Sequence, residues 1–155
     1  MKKIILSILV LFFTTLQVNA MTETDAKAFF NNYVTKANSY SNEISSMYAP
    51  NAVIIRQVIK PNGQLVNAYT NTATYLKQMK ISEGVAKARN YKNRYSNITV
   101  TKVAKGYKVS AVRHPSMDND SLKMYQIIAP VNGKPMIVEE MMQTKVQTFL
   151  KYAKN

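Results

Sequence analysis

From Thr24 onward, apolar residues recur at Ala26, Phe29, Phe30, Tyr33, Val34 and Ala37. That i, i+3, i+4, i+7, i+8 spacing predicts a helix with one wide buried stripe. Thr22 or Thr24 is placed to cap its start, and Glu23 and Asp25 suit the positive end of its dipole. The pattern lapses over residues 39–42 and resumes at Ile44, Met47 and Tyr48, which predicts a short second helix stopped by Pro50. Residues 52–59 are β-branched and too few for a stable helix, so they predict a strand, which Pro61-Asn62-Gly63 reverses. Past Leu65 and Val66, Thr70-Asn71-Thr72 offers caps for a third helix that carries Tyr75, Leu76 and Met79 and ends at Gly84.

The remaining pattern has a period of two. Strands are predicted at 94–103, 107–114, 122–129 and 134–144, with turns at Lys105-Gly106 and Asn132-Gly133 and a polar loop over 115–121. Val146, Phe149 and Leu150 predict a short closing helix. Helices first, then strand, helix and a run of antiparallel strands, make an α+β order in which helices pack on one face of a curved sheet.

The first twenty residues change the picture of where this chain works. Lys2 and Lys3, an apolar run from Ile4 to Phe13 broken by Ser7, and Val18-Asn19-Ala20 have the form of a cleavable export signal. The expectation is a signal peptide over 1–20, a single mature domain over 21–155, and a periplasmic or secreted protein. The apolar run is too short to span a bilayer, and no second run of that kind follows. The absence of cysteine excludes thiol catalysis, Cys-ligated metals and a lipid-anchored lipoprotein.

Charge adds a second constraint. The mature part keeps 19 Lys and Arg against eight acids, a net charge of +11. A basic block carries Lys77, Lys80, Lys87, Arg89, Lys92 and Arg94 and continues to Lys108, opposed only by Glu83. Its functional reading is a footprint for an anionic envelope component or an acidic protein. A solvated face that keeps a small exported protein soluble explains the same residues. Tyr75, Tyr91, Tyr95 and Tyr107 are interleaved with these bases, as a single-strand nucleic-acid groove requires, but nucleic acid is the least favoured partner.

The motifs then point to a family. Tyr48-Ala49-Pro50-Asn51-Ala52-Val53-Ile54 resembles the helix-to-strand junction of the nuclear transport factor 2-like superfamily, which includes polyketide cyclases and ketosteroid isomerases. Pro61-Asn62-Gly63, the helix at 75–79 and the stretch from Asn132 to Glu140 follow in that family's order. The resemblance implies a cone-shaped, cystatin-like fold with a pocket between a curved antiparallel sheet and the N-terminal helices, and pairing of two copies through the outer sheet face. In the ketosteroid isomerases a proton-moving carboxylate lies a few residues into the first strand. The matching position here is Arg56, flanked by Ile55 and Gln57, and an arginine is no general base.

The candidate chemistry therefore lies elsewhere. Glu139 and Glu140 are adjacent on a predicted strand, so alternation sends one of them inward, grouping Met136, Val138, Glu140 and Met142 on one face. Burial would suit the inward glutamate to proton transfer, whereas pairing with Arg56 would make it a structural ion pair. His114, the only histidine, lacks a nucleophile and an orienting acid at motif spacing. Asp118 and Asp120 lack the glycine and terminal glutamate of a calcium loop and fit a polar surface turn. The methionines fit core filling better than copper binding, and Tyr33 and Tyr125 fit either a cavity wall or the core.

Together these readings predict a non-catalytic binding module that needs no cofactor or metal. Phe30, Tyr33, Ile55, Arg56, Met79, Val138 and Glu140 would line a pocket for a small hydrophobic or amphipathic ligand. The alternatives are a lyase, isomerase or cyclase using Glu140, Glu139 or His114 as proton carrier, and an envelope adaptor with no ligand.

Overall fold

The computed structural model describes residues 20–153, so the leader expected over 1–20 lies, but for Ala20, outside the described residues. The first helix, α1 (Glu23–Asn38), starts at Thr22, whose hydroxyl accepts the Asp25 N–H at 3.2 Å while Asp25 accepts the Thr22 N–H at 2.8 Å. This reciprocal pair satisfies two otherwise orphaned donors. The stripe read from the sequence buries Ala26, Phe30 and Tyr33.

The second helix is smaller than expected. It is a 3₁₀ turn, Asn42–Met47, and the first strand, β1 (Tyr48–Ile59), begins before Pro50 rather than after it. Tyr48 pairs with Ile137 and Val53 with Glu139, so four residues of β1 bulge out opposite Val138 alone. Pro50 sits in that bulge, where no ladder donor is required. The junction is a kinked strand, and the kink turns Tyr48 into the core, where it is 3% exposed.

A hairpin leads to β2 (Leu65–Asn71), an edge strand that the sequence reading did not separate from the turn before it. The Asn71 side chain then accepts the Thr74 N–H at 2.8 Å and caps α2 (Thr72–Ala88). Gly84 does not end this helix. It is exposed mid-helix, and the helix stops a turn later where Asn90 takes a φ of 47° and the Tyr91 N–H reaches back to the Ala86 carbonyl at 2.9 Å.

Strands β3 (Asn93–Val103), β4 (Gly106–Pro115), β5 (Leu122–Val131) and β6 (Lys134–Thr144) follow, and a 3₁₀ turn, Gln147–Tyr152, closes the chain. The six strands form one sheet ordered β2-β1-β6-β5-β4-β3. It is a mixed sheet, a correction to the all-antiparallel expectation: β1 runs parallel to β6, and every other pair is antiparallel. The long stretch between β1 and β6 supplies the crossover that a parallel neighbour needs. Gly106, read as a turn residue, has a tighter reason to be glycine, since a Cβ there would lie 2.2 Å from the Ile128 carbonyl.

One bulge governs the interior. Ile127 pairs with Glu139 and Ile128 with Ile137, which leaves Val138 as the extra residue of β6. The alternation predicted along β6 is thereby reversed at Val138. Ile137 and Glu140 both point inward and are fully buried, and Val138 is left half-buried.

Candidate functional site

Between α2, the C-terminal end of α1 and the concave face of the sheet lies an open cavity of about 570 Å³. Leu76, Met79, Met142 and Phe149 give it apolar walls, and Tyr33, Tyr75 and Tyr95 add rings with polar tips. Two buried arginines, Arg56 from β1 and Arg113 from β4, also border it, each 8% exposed. Their surroundings differ.

Arg56 belongs to a charge-paired centre. Its Nη1 lies 3.2 Å from Glu140 Oε1, and its guanidinium stands over the Tyr75 ring at 4.6 Å. Glu140 Oε2 accepts from the Tyr48 hydroxyl at 2.6 Å and from Gln126 Nε2 at 2.9 Å. Both carboxylate oxygens are thus occupied by donors, which is the condition under which a buried ion pair is tolerated. Burial works against the Arg56 charge, but Tyr75 and Glu140 more than offset it and hold the guanidinium above its ordinary value. Burial and the Glu140 charge push the Tyr33, Tyr48 and Tyr75 hydroxyls above theirs. The Tyr33 and Tyr75 hydroxyls each stand 3.4 Å from that of Tyr48.

Arg113 belongs to an open centre. Its Nη1 donates to the Tyr91 hydroxyl and to Asn93 Oδ1, each at 3.1 Å, and its Nη2 to the Gln143 carbonyl at 2.9 Å. All three acceptors are neutral, no carboxylate among the described residues pairs with it, and its buried Nε has no acceptor. Asn93 is itself fixed from α1, its N–H donating to Asn38 Oδ1 and its carbonyl accepting from Asn38 Nδ2, each at 2.9 Å. Tyr40, held at a φ of 56°, donates its hydroxyl to the Tyr91 carbonyl at 2.7 Å and so clips the end of α1 to the end of α2.

Of the residues predicted to line the pocket, Tyr33, Arg56 and Met79 do so. Phe30 is fully buried against Tyr95 and Tyr33, in the core beside the cavity. Ile55 pairs with Tyr69 and Met141 and alternates away from Arg56, which puts it on the convex face; Val138 is displaced by its bulge. Glu140 is the inward glutamate, sealed behind Tyr48, Arg56 and Gln126. Glu139 and Tyr125 lie on the convex face, joined by a 2.6 Å hydrogen bond with Lys108 over the tyrosine ring. That placement corrects the cavity reading of Tyr125.

His114 alternates with the inward Arg113 and points away from the cavity, between Ser96 and Ser121. Lys77, Lys80, Lys87, Arg89, Lys92 and Arg94 are all exposed, and Lys80 and Lys87 both bridge to Glu83. These contacts hold the Glu83 carboxyl down to about 2. Asp120 pairs with Lys145, and the described residues contain no cluster of three or more metal-ligating His, Asp or Glu. Nor is any described helix long and apolar enough to cross a membrane.

Sequence reasoning missed Arg113, Tyr75 and Met142. Arg113 had a signal: it follows Val109 and Ala111 at the same parity on β4, a cation on an otherwise apolar face.

No protein-family model and no curated protein matches the chain. Solved structures do. A nuclear transport factor 2-like protein of unknown function from Pseudomonas putida superposes with a TM-score of 0.63 at 10% identity, over 78% of this chain and 84% of that one. A second such protein, from Shewanella oneidensis, gives 0.61 at 12% identity over 80% of this chain and 100% of that one. A putative scytalone dehydratase from Novosphingobium aromaticivorans gives 0.54 at 14% identity over 76% and 79%. The chain therefore has the nuclear transport factor 2-like, cystatin-like cone fold, a scaffold that hosts unrelated activities.

Proposed function

We propose that the protein is an exported binding protein that holds a small amphipathic molecule in its concave cavity without transforming it, while the basic face of α2 and β3 meets an anionic partner. The observation that carries this reading is the contrast between an open, largely apolar cavity of about 570 Å³ and an interior carboxylate that does not line it, fully buried behind Tyr48, Arg56 and Gln126. The volume lies in the range of small-molecule sites. Proton transfer from a bound molecule needs a base within hydrogen-bond reach, and Glu140 is sealed.

Native mass spectrometry of the processed protein, compared with the denatured chain, tests the reading. The expected result is a reproducible excess mass, lost when Met79→Trp fills the cavity. Bare chain in both samples, with no thermal stabilisation by any amphipathic probe, overturns it.

A second reading, an isomerase- or lyase-type enzyme, has one specific support. The hydroxyls of Tyr33 and Tyr75 reach from the cavity to Tyr48, which donates to Glu140, so a hydroxyl chain links the cavity to the buried acid. Turnover abolished by Glu140→Gln, with the fold intact, would establish it.

A further inference from the structure

We propose that Arg113 is the anchor for an anionic head group, so that the cavity selects amphipathic monoanions, carboxylates in the first place, over neutral or cationic molecules of the same shape. This rests on the binding reading above and adds the chemistry of the ligand.

The inference comes from matching charges around the cavity. Glu140 is matched by Arg56, and Glu83 at the rim by Lys80 and Lys87. Of the cations bordering the cavity, Arg113 alone has no counter-charge among the described residues, although it is 8% exposed. A guanidinium carries five N–H donors. Three bonds are made here, all to neutral acceptors, which leaves two donors unfilled, the Nε–H among them. The Nε atom is buried, so the second Nη2 N–H is the donor left for a ligand oxygen, and a guanidinium N–H donated to a carboxylate is charge-assisted. One surplus positive charge is balanced by one negative charge, which favours a monoanion over a phosphate monoester.

The site is also built to hold the cation still. Asn93 at the start of β3 and Tyr91 just before that strand flank it, and Asn38 on α1 fixes Asn93 through two hydrogen bonds. Tyr40 spends a left-handed backbone conformation, uncommon for a residue with a side chain, on tying the two helix ends together at that corner. A guanidinium needed only to plug the core would gain nothing over methionine, which fills such space without a charge. The Leu76, Met79 and Phe149 walls would receive the apolar body of the ligand.

Calorimetric titration of the processed protein with octanoate, octan-1-ol and octylammonium tests the proposal, since the three share one chain and differ in the head. Octanoate should bind roughly tenfold to hundredfold more tightly than octanol, the weight of a charge-assisted hydrogen bond, and octylammonium should bind weakest. In Arg113→Gln the octanoate advantage should vanish while octanol affinity stays within about twofold of the parent. Equal binding of acid and alcohol to the parent protein overturns the anion anchor and leaves the cavity as a binding site. Binding of none of the three overturns both. If Arg113→Gln fails to fold, the three-head comparison in the parent protein and loss of the octanoate advantage in Asn93→Ala, which frees the guanidinium to move, carry the test; an unchanged preference in Asn93→Ala counts against it.

Discussion

The two buried arginines sit on the concave face of one sheet and are equally covered, yet they are provided for differently. Arg56 has a carboxylate, an aromatic face and a carboxylate cage that includes Tyr48 and Gln126. Arg113 has only neutral acceptors and no counter-charge among the described residues. A buried charge that carries its own counter-ion is part of the scaffold. One that does not is waiting for something from outside, because an uncompensated charge in a low-dielectric interior costs several kcal/mol.

The sharpest way to break the comparison is to remove the matched cation. Arg56→Met leaves Glu140 buried without its partner, and chemical denaturation should show a loss of about 3–5 kcal/mol. A loss below about 1 kcal/mol would mean that the Glu140 centre is not a structural ion pair. Tyr48→Phe keeps the ring and removes one donor to Glu140, so a loss of about 1–3 kcal/mol is expected by the same measurement. Arg113→Met strips three bonds to neutral acceptors but also removes an unbalanced charge. Its unliganded stability should fall by no more than about 1 kcal/mol.

The tyrosines sharpen the picture from the alkaline side. Tyr33, Tyr48 and Tyr75 have folded-state pKa values above the ordinary 10.0, through burial and the neighbouring Glu140 charge. Their contribution is fully present below pH 10 and is lost as pH rises through the unfolded value toward the folded one, because only the unfolded chain then releases those protons. The tyrosinate absorbance of these three, read as the difference from a variant with all three changed to Phe, should therefore appear together with cooperative unfolding, whereas their smooth titration in a folded chain would contradict the burial of this cluster. The smallest effect belongs to Glu83, whose pKa of about 2 arises from exposed Lys87 and Lys80. Its contribution is present above the ordinary 4.5 and lost as pH falls through 2, and added salt should erase it.

How much of this was legible in the sequence follows from where local pattern and tertiary structure agree. The half from β3 to β6 was readable as strands because its apolar residues recur with a period of two outside the bulges and Asn132-Gly133 is a strong turn signal. The half before it was harder. Pro50 stops a helix in isolation, yet here it occupies a strand bulge that only the register with β6 defines. The edge strand β2 is short and half polar, with Ala68 its one fully covered residue. Gly84 looked like a terminator because a helix lying on the surface tolerates an exposed glycine that a pattern cannot place.

The site was read to the same depth. Tyr33, Arg56 and Met79 were found because one helical stripe, one family position and one amphipathic turn point inward. Val138 was misplaced because it is the extra residue of the bulge, which passes the inward face before Glu140 to Ile137, and nothing in Ile137-Val138-Glu139-Glu140 announces it. Arg113 was overlooked because it stood just beyond a basic block, where one more cation attracts no notice. Its parity with Val109 and Ala111 was the signal to weigh.

The most direct test of the central contrast is the rise in melting temperature that octanoate produces in the parent protein and in Arg113→Met, measured side by side. The account predicts a clear rise in the parent protein and none in the variant, with the two unliganded melting temperatures close together. An equal rise in both would contradict it, since the anionic head would then be held by something other than the unmatched arginine.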